Sequence, residues 1–82
     1  MHQKKGVLIY PIPTNDLLYL KNLSHNINLI EITNAEGKII LSQKIKSIES
    51  AIDVSSLTSG IYFIILSDSR KTPDTYKIII QH

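Results

Sequence analysis

Few side chains in this sequence are typed and spaced for chemistry. The histidines are His2, His25 and His82, two of them at chain ends. Zinc ligands come in closely spaced pairs; these do not, so zinc is not expected. Asp16, Asp53, Asp68 and Asp74 fall near the ends of expected strands. Two such carboxylates could meet around calcium, but none stands in the alternating spacing of a calcium loop. Glu31 and Glu36 read as solvated strand and turn residues. Ser55 and Ser56 follow an acid but have no base nearby, so they read as turn formers rather than nucleophiles. A thiol nucleophile is excluded, because there is no cysteine. A Gly-x-Ser-x-Gly elbow, a phosphate-cradling loop and a dinucleotide fingerprint are all absent. The residues therefore point away from an enzyme, and no cofactor is expected.

What these residues sit on follows from length and pattern. Eighty-two residues make one small domain. With no disulfide available, a chain this short needs a dense core. It is 43% hydrophobic and 20% charged, as ordinary folded domains are. Isoleucine dominates the apolar set, which favours strands. No apolar run reaches the roughly 20 residues that cross a bilayer, so membrane insertion is not expected. The net charge is +2 and only Arg70 among the basic residues is arginine. The lysines are scattered, so no nucleic-acid stripe is expected. Lys4 and Lys5 precede an apolar run of only Val7 to Tyr10, too short for an export signal. These residues fit either a protein kept inside the cell or a piece of a longer precursor. Residues 1–6 are expected to be a linker or disordered, and residues 7–81 a single domain.

The apolar period is two along the whole chain. Strands are expected at Val7–Tyr10, Leu17–Lys21, Ile27–Thr33, Lys38–Lys46, Ser50–Val54, Gly60–Leu66 and Tyr76–Ile80. Pro11 and Pro13 deny the ladder two donors and should force a non-sheet exit from the first strand. Thr14, Asn15 and Asp16 can then bond nearby backbone groups. Asn34-Ala35-Glu36-Gly37 reads as a type I turn closed by a left-handed Gly37. The parity change among Ile39, Ile40, Leu41 and Ile45 calls for a bulge. Ser67 to Asp74, with Arg70, Lys71 and Pro73, reads as a polar loop. Seven short strands at this spacing give an all-β, seven-stranded, antiparallel, immunoglobulin-like β-sandwich. Tyr62 shares parity with Ile64 and Leu66, so it should point inward, with its hydroxyl bonded at the rim of the core.

The order of motifs carries a resemblance. Tyr10-Pro11-Ile12-Pro13-Thr14-Asn15-Asp16 is followed by a Leu-Tyr-Leu strand, and Ile30-Glu31-Ile32-Thr33-Asn34 leads to Gly37-Lys38. Ile52-Asp53-Val54-Ser55-Ser56-Leu57 then precedes Ser59-Gly60-Ile61-Tyr62-Phe63, and Tyr76-Lys77-Ile78-Ile79-Ile80 closes the chain. From about Val7 to Gln81 this resembles the type A C-terminal sorting domain of type IX (Por) secretion substrates of Bacteroidetes. Ile12 departs from the family's usual Asn, Ala35-Glu36 from an apolar pair, and Ile80 from a frequent Lys. The resemblance implies the last domain of a larger exported protein, with a passenger ahead of it. Its implied partners are an outer-membrane translocon and a cell-surface sortase that removes the domain. Localisation would be the cell surface or outside, reached through the periplasm. By resemblance the sorting-motif residues are Pro11, Pro13, Thr14, Asn15, Gly37, Gly60, Tyr62, Lys77, Ile78, Ile79 and Ile80.

Parity adds one expectation beyond the family. Ile61, Phe63 and Ile65 should face outward as an apolar strip, widened by Leu29 or Leu41. Such a patch marks an interaction site, here for the passenger, the translocon or a second copy in a homodimer. The competing expectation is that a loop covers it. Two other functions fit the residues: an immunoglobulin-like adhesion or carbohydrate-binding module, for which a groove with exposed aromatics would be the mark, and a dimerisation domain.

Overall fold

The computed structural model describes residues 6–68 and 71–82, residues 71 and 72 by backbone alone. Among the described residues, alternating apolar positions build seven strands: β1 (Leu8–Tyr10), β2 (Leu17–Lys21), β3 (Ile27–Asn34), β4 (Ile39–Lys44), β5 (Ser50–Asp53), β6 (Gly60–Asp68) and β7 (Lys71–Ile80). They form two sheets, ordered β1-β2-β5 and β4-β3-β6-β7. All strand pairs are antiparallel. Successive side chains in a strand point to opposite faces. Leu18, Leu20 and Ile52 from the first sheet therefore meet Ile30, Ile32, Ile64, Leu66, Ile78 and Ile80 from the second in one buried cluster. At one rim, Gln43 Nε2 on β4 donates to Ser50 Oγ on β5 at 3.0 Å, tying the two sheets together.

The turn after β3 follows the sequence expectation. Gly37 N–H donates to the Asn34 carbonyl at 3.0 Å, and Gly37 takes a left-handed φ of 88°. The Asn34 side-chain oxygen also accepts from the amides of Glu36 and Lys38. The bulge in β4 is present too. Ile32 lies opposite Leu41 and Thr33 opposite Ile39, leaving Ile40 as the extra residue. That register turns Leu41 toward the core, where it packs. Leu41 therefore does not widen the outer strip.

The last hairpin differs from expectation. The stretch read as a polar loop from Ser67 to Asp74 is strand at both ends, with Leu66 opposite Asp74 and Asp68 opposite Lys71. Its outer rungs carry polar side chains and so look like loop in composition, although Asp68 is itself buried opposite the core residue Ile27. Pro73 is tolerated because β7 is an edge strand with no partner along most of its outer side. Arg70 lies outside the described residues. Most of the expected 1–6 leader also does, but the Gly6 carbonyl accepts a 2.8 Å bond from Asn22 Nδ2. Asn22 itself is left-handed, at φ 63°, a conformation Asn tolerates.

Beyond β5 the chain is turned by an acid. Asp53 Oδ1 accepts from the Ser55 hydroxyl at 2.6 Å and the Ser55 amide at 2.9 Å. These bonds, the hydroxyl first, hold the Asp53 pKa below its ordinary value. The folded state thus favours the carboxylate. Its contribution is present above the unfolded pKa of about 3.9 and is lost as pH falls through the lower folded value. Replacing Ser55→Ala should raise the Asp53 midpoint toward about 3.9 in a carboxyl NMR titration. An unchanged midpoint would remove the hydroxyl as the cause.

Candidate functional site

The residues singled out by motif converge at one end of the molecule. After β1, the Tyr10–Pro11 and Ile12–Pro13 peptide bonds are both cis. The chain then leaves the first sheet and meets the end of β7. Thr14 N–H donates to the Ile79 carbonyl at 3.0 Å, and Gln81 N–H donates to the Thr14 carbonyl at 2.8 Å. This Thr14–Ile80 bridge is parallel, unlike every strand pair. The non-sheet exit expected after Pro13 is therefore followed at once by a sheet contact. Thr14 is only 3% exposed, and its hydroxyl donates to the Leu17 carbonyl at 2.9 Å. Asp16 acts through its backbone, accepting from Val54 N–H at 2.8 Å. Pro11, Pro13, Thr14 and Asn15 face Gln81 and His82 across an opening of about 340 Å³.

The rest of the motif lies at the same end. Register puts Asn34 opposite Tyr62, Tyr62 opposite Ile78, and Gly60 opposite Ile80. The turn that ends in Gly37 therefore flanks the close of β7. Tyr62 is buried, and its hydroxyl donates to the Thr58 carbonyl at 2.7 Å. That is the rim partner its inward parity demanded. Gly60 is close to extended at φ 159°, and an added Cβ would meet the Tyr62 ring edge at 3.8 Å. The last residue is pinned as well. His82 N–H donates to Ser59 Oγ at 3.0 Å, and its Nε2 lies 2.6 Å from the Leu57 carbonyl. Sequence reading had left His82 as a chain end, since nothing local marks a bond to a loop so distant in sequence.

Four motif residues close the chain on alternate faces. Ile78 and Ile80 are buried in the core, while Lys77 and Ile79 face outward. Ile61, Phe63 and Ile65 share that outer face. Ile61 is 49% exposed and lies opposite Ile79, itself 37% exposed. Phe63 and Ile65 are half-buried. Phe63 has Thr33 and Lys77 beside it on either strand, and Ile65 has Glu31 and Thr75. Ile61 has no such neighbour on β3, whose pairing ends at Asn34. Apolar exposure on this face is thus centred on the Ile61–Ile79 pair rather than spread evenly along β6. Leu29 faces the same way and is half-buried.

This arrangement is suited to docking. Among the described residues, no group of three or more His, Cys, Asp or Glu gathers to hold a metal. Loss of the Thr14 hydroxyl in Thr14→Val should cost about 1 kcal/mol in urea unfolding. Asn15→Ala, at an exposed neighbour, should stay within about 0.5 kcal/mol. Equal effects would mean that the seam does not depend on the Thr14 side chain.

A family model described as the secretion system C-terminal sorting domain matches residues 8–81. No curated protein matches the chain. Among solved structures, PorZ of Porphyromonas gingivalis, described as an essential bacterial surface component of the type-IX secretion system, is similar with a TM-score of 0.79. Identity is 18% over 94% of this chain, so the likeness speaks to fold. The aligned part is 12% of the PorZ chain. The family match runs from β1 through the whole of β7, and the chain belongs to the secretion-system C-terminal sorting domains.

Proposed function

We propose that this domain directs a larger precursor across the outer membrane by type IX secretion, presenting a folded surface to the translocon. The passenger lies ahead of it in the precursor, which reaches the periplasm first and ends outside the cell or on its surface. A cell-surface sortase then removes the domain. The observation that carries this reading is the convergence of the motif segments around the end of β7, with Ile61 and Ile79 exposed beside them. The reading treats the fold as an immunoglobulin-like sandwich. The strand order supports it, differing from the constant-type arrangement only in that the fourth strand joins the second sheet. The bond from Tyr62 back to Thr58, at the start of the sixth strand, matches the tyrosine corner of such folds.

The outer face of the second sheet is the docking surface in this proposal. An apolar pair beside a lysine suits a partner with a complementary apolar patch. Deleting the tail would be a poor test. It removes Ile78 and Ile80 from the core, on the order of 3–6 kcal/mol out of a total of about 5–15. Substitutions on the exposed face leave that core intact.

The test is an export assay in a bacterium with type IX secretion. A signal peptide and a neutral reporter are placed ahead of these residues. The intact domain should bring the reporter outside the cell. The double variant Ile61→Thr, Ile79→Thr, with its fold verified by NMR, should leave the reporter in the periplasm. Retention with the intact domain would reject the sorting role. Full export with the double variant would reject this face. A concentration-dependent mass in light scattering, lost in the same variant, would assign the face to a homodimer instead.

A further inference from the structure

The outer face of the first sheet carries a feature that lies apart from the proposed docking face. Tyr10, Tyr19 and Ala51 stand side by side on it, one from each strand. The two rings stack, with centroids 5.6 Å apart and planes 30° apart. Tyr10 is 40% exposed and Tyr19 37%. On the other side of Tyr19, Ala51 offers only a methyl group, so the ring has no neighbour of comparable height there. A cleft of about 480 Å³ results, lined by the two tyrosines, Lys21, Ser47, Glu49 and Ala51 among others. That lies within the roughly 300–1,000 Å³ of small-ligand sites.

The rim of this cleft is polar in both senses. Lys21 supplies an ammonium donor, Glu49 a carboxylate acceptor and Ser47 a hydroxyl that does both. The cleft lining places Tyr10, Lys21 and Glu49 together, and the Tyr10 hydroxyl, then the Glu49 carboxylate, hold the Lys21 pKa above its ordinary value. Their opposite charges nearly cancel.

We propose that this cleft binds a neutral saccharide. A pyranose ring has an apolar C–H face and a border of hydroxyls that each donate and accept. The first matches the Tyr19 ring face on the Ala51 side, whose π-cloud is electron-rich. The second matches a rim holding an ammonium, a carboxylate and a hydroxyl within one opening. An anionic ligand would meet Glu49, and a cationic one Lys21. A peptide adding as a strand would use a sheet edge, not this face. The remaining competitor is a proline-rich segment, which also docks on aromatic-lined grooves. The carboxylate and ammonium favour the sugar, since proline carries no backbone N–H to donate to Glu49.

The test is an amide NMR titration of the ¹⁵N-labelled domain. Cellohexaose, mannohexaose and xylohexaose are added separately into the millimolar range, with decaproline as a fourth probe. At least one hexaose should give saturable shifts centred on the amides of Tyr19, Lys21, Glu49 and Ala51. Tyr19→Ala should weaken binding at least about tenfold. Ala51→Phe, which fills the cleft and keeps both tyrosines, should do the same. Ile61→Thr on the other sheet should leave affinity unchanged, which separates this site from the export surface. Absence of saturable shifts with all three sugars would overturn the proposal. So would shifts centred elsewhere, or binding of decaproline alone.

Discussion

Between β1 and β2 the chain reaches across from the first sheet to the second, and it does so at Thr14. Two backbone hydrogen bonds, from Thr14 to Ile79 and from Gln81 to Thr14, join the segment after β1 to the end of β7. Nothing covalent could do this work, because there is no cysteine. Buried backbone groups must be paired, so the seam and the core close together. With Thr14 held, Asp16 reaches Val54 and β2 starts in register with β5. With β7 held, Ile78 and Ile80 are fixed in the core beneath Tyr62. The last strand is therefore a structural member of the fold as well as the end of the chain.

That double role shapes how such a domain can act as a signal. The inward residues of β7 are committed to packing, at about 1.5–3 kcal/mol for each fully buried isoleucine. The alternate residues, Lys77 and Ile79, are exposed. A linear tail would present all four at once. The folded strand presents half of them, and sets Ile79 beside Ile61 from the other strand of the hairpin. Recognition of a surface made this way reports on whether the domain has folded.

Much of this was legible in the residues, where the information was local. Asn34 to Gly37 announced its turn, the parity change after Ile39 announced its bulge, and the parity of Tyr62 announced a buried ring with a bonded hydroxyl. What was hidden was non-local. No spacing rule links Thr14 to Ile80 or His82 to Leu57, because loop geometry decides which backbone groups meet. The outer rungs of the β6–β7 hairpin looked like loop because their side chains are polar, and only pairing with distant Ile27 buries Asp68. The uneven exposure of Ile61, Phe63 and Ile65 depended on where β3 ends. The tyrosine cleft needed the register that places a small Ala51 beside Tyr19.

The central claim is that the sorting signal is the folded domain and not the residues of its tail. One substitution tests it: Ile30→Asp, which puts a charge at a fully buried core position in β3, outside the tail. A signal peptide and reporter ahead of this variant should reach the periplasm and stay there, with NMR confirming that the isolated domain has lost its fold. Reporter outside the cell at the level of the intact domain, from a domain shown to be unfolded, would contradict the account and return the signal to the linear sequence of the tail.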